Sequence, residues 1–461
     1  MKSIQIATLA LSVVGCTSTT IQSPNILMII VDDAGYNDFG FNGSQELETP
    51  NIDHLASQGV VFSDAHVSAS VSGPSRAGML TGRYQQRNGY ECNLDDRLGL
   101  GLEESTIADL LKAQGYTTGA IGKWHQGDTA PYHPNNRGFD HFFGFVSGSR
   151  SYFYRPQKDD KDGSINQLQL NGTPHPFEGY MTDVLAEGAN DFIDSCVESH
   201  NPFFLYLAFN AVHTPLEATE ADLARYEGHP RQMLAAMTWA LDRAVGEVIT
   251  NLEKQGEMDN TLIFFVSDNG GAHNNQSSNF PLKGFKGNKF EGGHRVPFFM
   301  TYGTRYKEQR FDGLTSSLDM AATSLTLAGV DTEALERPLD GVNLLPYLDG
   351  EITDEPHDTL FWRKEDMAAA RSGAYKYIRV KGVGERLYNV ENNYNEDDDL
   401  IAQHPEIATA LRTSLEEWEG GLITPILWGE GIWNDVTREI HRDLMENRAV
   451  SCFTPEQLRK R

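Results

Sequence analysis

A serine at position 72 stands two residues before Pro74, and an arginine follows at position 76. Proline favours the first turn of a helix, so the sequence predicts that Ser72 lies at a helix N-terminus. Unpaired backbone amides and the helix dipole attract an anion there. Arg76 lies one turn further on the same face and adds a charged donor. This segment therefore predicts a site where a hydroxyl group meets a bound anion.

Two acidic segments each follow an apolar run. Asp32 and Asp33 follow residues 24–31, and Asp268 and Asn269 follow shortly after residues 261–266. Carboxylate and amide oxygens are hard ligands, which suit Ca²⁺ or Mg²⁺ better than zinc. A single pair of aspartates often only caps a turn, so it is the second segment, Asp268 and Asn269, that favours a metal site.

Further polar residues follow two other apolar runs. Lys123 and His125 come after residues 117–121, and His213 comes after residues 203–209. Continuous apolar runs are typical of strands that are buried on both faces of a parallel sheet. In such sheets ligands collect at the carboxyl ends of the strands. The sequence therefore predicts one site that several loops assemble.

The elements around these residues predict an α/β fold. Helical patterns, such as residues 105–114 and 232–255, lie between the apolar runs, which favours a large, mostly parallel sheet sandwiched by helices. After about residue 350 the pattern changes to short alternating segments and a helix over 405–418. We expect a catalytic domain over 24–350 and a smaller C-terminal α+β subdomain with an antiparallel sheet over 351–461.

Composition limits the partners. Asp and Glu number 65 against 38 Lys and Arg, so the formal net charge is −27. This balance argues against a nucleic-acid partner, because phosphate binding needs a basic face. A protein of this charge that binds an anion must concentrate cations locally.

The N-terminus is typical of an export signal. Lys2 precedes an apolar stretch that is too short to span a membrane, and residues 13–16 (Val-Val-Gly-Cys) resemble a bacterial lipobox. We expect a signal peptide over 1–15, lipidation of Cys16, a periplasmic or outer-membrane location, and membrane contact through that lipid alone. The other cysteines are odd in number, so one disulfide is possible and its pairing is open: Cys92, Cys196 and Cys452.

The twelve residues 72–83 read Ser-Gly-Pro-Ser-Arg-Ala-Gly-Met-Leu-Thr-Gly-Arg. They match the sulfatase signature at every fixed position, so the chain resembles the type I, formylglycine-dependent sulfatases of the alkaline-phosphatase-like superfamily. The resemblance extends from Asn25 to about Tyr394 and implies that fold, and the hydrolysis of a sulfate ester. It also implies that a radical-type maturase oxidises Ser72 to formylglycine (3-oxoalanine). One hydroxyl of the hydrated aldehyde would attack sulfur, and the other would later release sulfate.

The same resemblance implies a ligand set for one Ca²⁺ ion, namely Asp32, Asp33, Asp268 and Asn269 together with the modified residue at 72. Such an ion screens the charge of the sulfate oxygens and polarises the nucleophile.

The resemblance also assigns catalytic roles. Lys123, in Gly-Lys-Trp-His-Gln-Gly, would bind a sulfate oxygen, and Lys286 matches a second sulfate-binding lysine. His125 would take the proton from the second hydroxyl. His213 would protonate the leaving alcohol. The local cationic pocket that the composition lacks would consist of Arg76, Lys123, His125, Lys286 and the calcium ion.

Other residues carry weaker expectations. Arginines and aromatic residues suit a sulfated sugar, by ion pairing and ring stacking, so candidates for binding the leaving group are Arg150, His273, Trp362 and Arg363. We interpret Glu291 and Arg295 as scaffold. Residues 159–163 lack the ligand spacing of a calcium loop, and we expect an acidic surface loop there.

Three functions stay open. The first is a sulfatase acting on a sulfated carbohydrate, such as an algal galactan. The second is a phosphodiesterase or phosphonate hydrolase of the same superfamily, which usually has a metal site with more His and Asp ligands. The third is a surface lipoprotein that binds sulfated glycan without catalysis, although a binding protein has no need of a leaving-group acid.

Overall fold

In the computed structural model, which describes residues 23–93, 98–391, 393–426 and 431–460, each predicted apolar run forms a strand. The strands are β1 (Asn25–Val31), β2 (Val60–Phe62), β3 (Ala65–His66), β4 (Thr117–Lys123), β5 (His141–Phe145), β6 (Gln169–Leu170), β7 (Thr173–Pro174), β8 (Phe203–Ala208), β9 (Thr261–Ser267), β10 (Phe298–Tyr302), β11 (Gln309–Phe311), β12 (Thr315–Ser316), β13 (Leu360–Lys364), β14 (Met367–Ser372), β15 (Tyr375–Val380) and β16 (Gly384–Asn389).

The helices lie mostly between these strands. They are α1 (Pro50–Ser57), α2 (Ser72–Thr81), α3 (Ile107–Ala113), α4 (Met181–Glu198), α5 (Glu220–Arg225), α6 (Gln232–Gln255), α7 (Glu291–His294), α8 (Asp319–Leu327), α9 (Leu345–Leu348), α10 (Pro405–Gly420), α11 (Gly431–Met445) and α12 (Pro455–Arg459). The helices predicted over 105–114 and 232–255 correspond to α3 and α6. Among the described residues, no helix is long and apolar enough to cross a membrane.

The large sheet has the strand order β11-β2-β10-β9-β1-β8-β4-β5-β6-β7. Its centre, β9-β1-β8-β4-β5, is parallel, as predicted. β10 pairs antiparallel with both β9 and β2, and β6 and β7 extend the other edge in antiparallel fashion. The carboxyl ends of β1, β4, β8 and β9 therefore lie along one edge of the sheet.

Both faces of this sheet are covered. Alternate residues of β1 point to opposite sides, so Leu27 and Ile29 join one apolar cluster, which includes residues of α1, α4 and α6. Ile26 and Met28 join the other, which includes residues of α2, α3 and α8. This two-sided burial explains why the strand sequences are continuously apolar.

The C-terminal part forms a separate four-stranded antiparallel sheet in the order β13-β14-β15-β16. Helix α10 packs on β14 and β15. The short alternating segments and the helix predicted there are confirmed, whereas β14 was not predicted. Among the described cysteines, Cys92, Cys196 and Cys452 are buried thiols that no disulfide joins. The predicted signal peptide and Cys16 lie outside the described residues.

Candidate active site

Ser72 is the first residue of α2 and is completely buried. Its hydroxyl oxygen lies 3.1 Å from Oδ1 of Asn269, 3.4 Å from Oδ1 of Asp32 and 3.5 Å from Nζ of Lys286. The next residue has to be small, because a Cβ at Gly73 would lie 2.3 Å from a side-chain oxygen, that of Tyr90. Ser72 is thus held at a helix N-terminus with acidic, amide and cationic groups around it.

Strand register brings the two acidic segments together. Val31 of β1 lies beside Ser267 of β9, so the residues that follow the two strands are neighbours. The backbone amide of Asp33 donates to Oδ1 of Asp268 over 3.3 Å, and Nδ2 of Asn269 donates to Oδ1 of Asp33 over 2.8 Å. These three residues are no more than 2% exposed.

The donor set fits a hard divalent cation. Ligands at 2.3–2.6 Å from one Ca²⁺ ion lie roughly 3–4 Å from each other, and the Ser72 oxygen lies 3.4 Å from Oδ1 of Asp32 and 3.1 Å from Oδ1 of Asn269. Asp32 and Asp33 can also bring ligand atoms within 4.8 Å of a ring nitrogen of His213. The residues that could hold a metal are therefore Asp32, Asp33, Asp268 and Asn269, with position 72 beside them.

Three cations surround these oxygens. Arg76 donates from Nε to Oδ2 of Asp268 over 2.8 Å, Lys123 contacts Oδ2 of Asp32 at 2.5 Å, and Lys286 contacts Oδ1 of Asp33 at 2.6 Å. Arg76 and Lys123 are buried, while the side chain of Lys286 is 19% exposed. The structure thus contains the local cationic pocket that the overall charge of the chain does not supply.

The charges in this pocket set its protonation. Burial opposes ionisation of Asp32 and Asp33, but their cationic neighbours, Lys123 and Lys286 foremost, lower the pKa of both carboxyls below the ordinary value. Burial likewise opposes the charge on Lys286, yet the adjacent carboxylates raise its pKa. Burial lowers the pKa of Lys123. At neutral pH the carboxylates stay ionised and can bind a cation.

The two histidines differ in environment. Burial, and then the positive charges of Lys123, Arg76 and Lys286, lower the pKa of His125 well below its ordinary value, which favours the neutral ring that a base needs. Gly148 lets this ring pack closely, since a Cβ there would lie 2.7 Å from Nε2 of His125.

His213 lies at the edge of the site with its side chain 19% exposed. Its Nδ1 is 2.6 Å from the carbonyl oxygen of Thr214, so this nitrogen carries the proton, and Nε2 lies 3.6 Å from Asp33. A ring held in this way presents Nε2 to the site.

Three of the four candidates for leaving-group binding are engaged with protein instead. Trp362 is buried, donates to the carbonyl of Val67 and stacks on His294, so neither its ring nor its N–H faces a ligand. Arg363 is bound through its guanidinium to Glu91.

Arg150 is buried, and its guanidinium pairs with Asp160 at 2.9 Å. The expectation of an acidic surface loop over 159–163 holds for residues 161–163, which are exposed, but is wrong for Asp159 and Asp160, which are at most 4% exposed and bind within their own loop. These two carboxylates have a structural role.

His273, in contrast, is exposed near the site. Its surroundings partly cover the ring, and this partial burial lowers its pKa; the charge of Asp33 raises the pKa and that of Lys286 lowers it. Its ring stacks on Phe453 with 4.4 Å between centroids. The C-terminal segment therefore contributes an aromatic side chain close to the site, which no local sequence pattern indicated.

Sequence reasoning also missed Asn275. This residue is fully buried, and its Nδ2 donates to the carbonyl oxygens of Asp33 and Val212, over 3.0 and 3.2 Å. It thereby joins the segment that follows β1 to the loop that carries His213. A single asparagine after a strand end gives no signal of such a role.

Comparisons with known proteins agree with this geometry. The sequence model of the family described as Sulfatase matches residues 24–330. The "Uncharacterized sulfatase YdeN" of Escherichia coli is 30% identical over 393 residues, which cover 74% of this chain and 68% of that protein. The human N-acetylgalactosamine-6-sulfatase is 33% identical over 382 residues, covering 77% and 71%.

A solved structure is similar over nearly the whole chain. The crystal structure of Ps i-CgsB in complex with k-i-k-neocarrahexaose has 39% sequence identity and a TM-score of 0.83, and the match covers 89% of this chain and 96% of that one. The similarity extends through the C-terminal sheet as well as the large one.

Proposed function

The chain belongs to the sulfatase family and is a sulfuric ester hydrolase, and on this basis we propose that it removes sulfate from a sulfated carbohydrate, with Ser72 as the modified nucleophile and Ca²⁺ as the metal. The observation that carries the proposal is the position of Ser72, at a helix N-terminus within 3.5 Å of acidic, amide and cationic groups.

The substrate class is proposed from similarity. The structure with 39% identity was solved with a neocarrahexaose, and a 33% identical relative bears the name N-acetylgalactosamine-6-sulfatase. Both names refer to galactose-type sugars, so a sulfated galactan oligosaccharide, such as one from algae, is the substrate we propose.

Each side chain of the pocket has a part in this reaction. Oxidation of Ser72 by a radical-type maturase supplies a hydrated aldehyde, and Ca²⁺, bound by the acidic oxygens, supplies charge stabilisation. Arg76 and the two lysines, Lys123 and Lys286, neutralise charge on the sulfate oxygens. His125, held neutral, accepts a proton at a ring nitrogen.

His213 acts on the other side of the scissile bond. The alcohol of a sugar is a poor leaving group, so the departing oxygen needs a proton. Because Nδ1 of His213 donates its proton to a backbone carbonyl, the acid in this step is the doubly protonated ring, which gives the proton on Nε2 to the departing oxygen and becomes neutral.

Two measurements test the proposal. The peptide that carries Ser72 should be two hydrogen atoms lighter than its sequence mass when the protein comes from a host with the maturase, and unmodified from a host without it. Only the modified protein should release sulfate from k-i-k-neocarrahexaose. Sulfate release by a Ser72→Ala variant at the wild-type rate would refute the assignment of the nucleophile, and rescue of metal-free protein by zinc alone would favour the phosphodiesterase alternative.

We also propose that the protein is an exported lipoprotein, anchored through Cys16. The support is the sequence of residues 1–16 alone. A Cys16→Ser variant should then move from the membrane fraction to the soluble periplasmic fraction. Equal membrane association of the variant and the wild type would exclude the lipid anchor.

A further inference from the structure

Tyr152 lies beneath the loop that carries His213 and is completely buried. Its hydroxyl oxygen is 2.6 Å from the carbonyl oxygen of Asn210 and 2.9 Å from that of His213. One hydroxyl group therefore bridges the two ends of a four-residue loop. Burial raises the pKa of Tyr152 well above its ordinary value, so the hydroxyl remains a donor.

The opposite side of this loop is joined to the metal-binding strand end. The amide of Val212 donates to the carbonyl of Asp32, and the amide of Asp32 donates to the carbonyl of Ala211, each over 2.8 Å. The ends of the loop are held by Tyr152 and by the amide of His213, which donates to the carbonyl of Asn210 over 2.9 Å. Its middle is held by the backbone of Asp32, directly after β1, and by the side chain of Asn275.

Tyr152 is itself fixed in place. Its ring stacks on Tyr180 with 5.3 Å between centroids and 15° between planes. Its amide donates to Glu217 over 2.8 Å, and its carbonyl accepts from the amide of Met181 over 2.8 Å. A side chain that is held by both its ring and its backbone can transmit a fixed position to the loop it contacts.

We propose that Tyr152 is a positioning residue for the leaving-group step, because its hydroxyl sets the backbone that aims Nε2 of His213 at the departing oxygen. The inference rests on the proposed role of His213 as the acid. Tyr152 itself contacts neither the acidic oxygens nor Ser72 through any described hydrogen bond, so its effect should depend on how much the leaving group needs a proton.

The test compares two substrates in one preparation of matured enzyme. A nitrophenolate leaves without protonation, whereas a sugar alkoxide does not. Tyr152→Phe should lower kcat for k-i-k-neocarrahexaose by about tenfold, since a small misplacement of a catalytic group costs up to about a hundredfold. Its kcat for 4-nitrophenyl sulfate should stay within about twofold of the wild type. The ratio of the two rates does not depend on the folded fraction.

Two variants serve as references. His213→Ala should show the same selective loss with a larger amplitude. The hydroxyl of Tyr180, on the ring that stacks against Tyr152, donates to the carbonyl of Glu217 and not to the His213 loop. Tyr180→Phe removes this hydroxyl and should leave the rate ratio unchanged.

The outcomes separate the two proposals. A wild-type enzyme that releases sulfate from neither substrate overturns the proposed function and this inference with it. A His213→Ala variant that loses both activities equally overturns the role of His213 as the acid, and with it this inference, while the proposed hydrolysis stands. If His213→Ala is selective and Tyr152→Phe affects both substrates equally, or neither, the inference about Tyr152 is wrong and the proposed function stands.

Discussion

The active site and a second buried cluster near α7 both combine three carboxylates with three cations, yet we propose a metal only for the first. In the site, the groups are Asp32, Asp33 and Asp268 with Arg76, Lys123 and Lys286. The second cluster, here called the inter-sheet network, consists of Asp64, Glu291 and Glu396 with Arg295, Arg371 and Lys376, and it also contains His66 and His294.

The inter-sheet network contains a group that could hold a metal by composition, namely His66, Glu291 and His294. Its carboxylate oxygens, however, are taken by cations of the C-terminal sheet. Arg371 and Lys376 each lie 3.0 Å from an oxygen of Glu291. Because Arg371 and Lys376 lie on the C-terminal sheet, these ion pairs join the two sheets. Burial, and then the nearby positive charges, lower the pKa of His294 well below its ordinary value.

The difference lies in what each oxygen faces. In the network, side-chain donors point at the carboxylates of Glu291 and Asp64. In the site, the acceptor oxygens of Asp32 and Asn269 both point toward Ser72, at 3.4 and 3.1 Å. Cations reach the carboxylates in both clusters, but only in the site do a carboxylate oxygen and an amide oxygen also lie near one hydroxyl, that of Ser72. Several oxygens around one point are what a hard cation needs, so the count of charges alone does not separate the two clusters.

The largest expected effect comes from Asp33→Asn, which removes one ligand charge and the partner of Lys286. A bound metal ion lowers the activation free energy by several kcal/mol, so its loss should reduce sulfate release by about 10³-fold. Steady-state kcat/KM measures this loss. Glu291→Gln, the matched change in the network, should retain activity per folded molecule within about threefold. A greater loss of activity in Glu291→Gln than in Asp33→Asn would mean that the network, and not the site around Ser72, carries the activity.

Arg371→Met should instead destabilise the protein. It removes the shorter of two guanidinium contacts from the buried Glu291 and Asp64 and leaves them only that of Arg295, and breaking such a buried pair typically costs about 3–5 kcal/mol of unfolding free energy. Urea denaturation measures this cost. As a control, Arg412→Met breaks a partly exposed pair with Glu385 and should cost less than about 1 kcal/mol. Equal costs in the two variants would mean that the network does not join the sheets.

Metal binding distinguishes the clusters directly. Ca²⁺ at about 100 times its dissociation constant should stabilise metal-free wild-type protein by about 2.7 kcal/mol, seen as a higher Tm. Glu291→Gln should keep this shift and Asp33→Asn should lose it. If the shift disappeared in Glu291→Gln alone, the ion would bind in the network.

The smallest effect is a pH dependence in the network. Burial, followed by the repulsion of Glu291, raises the pKa of Glu396 to about 7, although Lys376 opposes the shift. The folded state thus holds this proton more tightly than the unfolded state, so the stabilisation is complete below about pH 4.5 and is lost as the pH rises through 7. Between pH 6 and pH 8 the wild type should lose about 1.4 kcal/mol more than Glu396→Gln. If the unfolding free energy of the two proteins fell by the same amount between pH 6 and pH 8, this assignment would be wrong.

Much of the large sheet follows from local sequence. The runs that form β1, β8 and β9 are continuously apolar, because each strand is buried on both faces. Strand β14 (Met-Ala-Ala-Ala-Arg-Ser) was not predicted, since alanine favours helices and only pairing with β13 and β15 makes this segment a strand.

The surroundings of the predicted substrate-binding side chains were not foreseen, mostly because their partners lie far away in the sequence. Trp362 and Arg363 have a composition that suits a sugar, but their partners, Val67 and Glu91, are more than 250 positions away. Arg150 is satisfied by a nearby carboxylate that was expected at the surface. An exposed arginine and a buried, paired one look the same in a sequence.

By itself, the sequence determined which residues could do chemistry here: a serine at a helix start, acidic residues at strand ends, and the lysines and histidines in the loops between. Those features are local, because caps, strand ends and signature motifs depend on neighbours in the chain. Only the tertiary structure decided which charges face an open centre and which neutralise each other, since that depends on strand register and on the contact between two sheets.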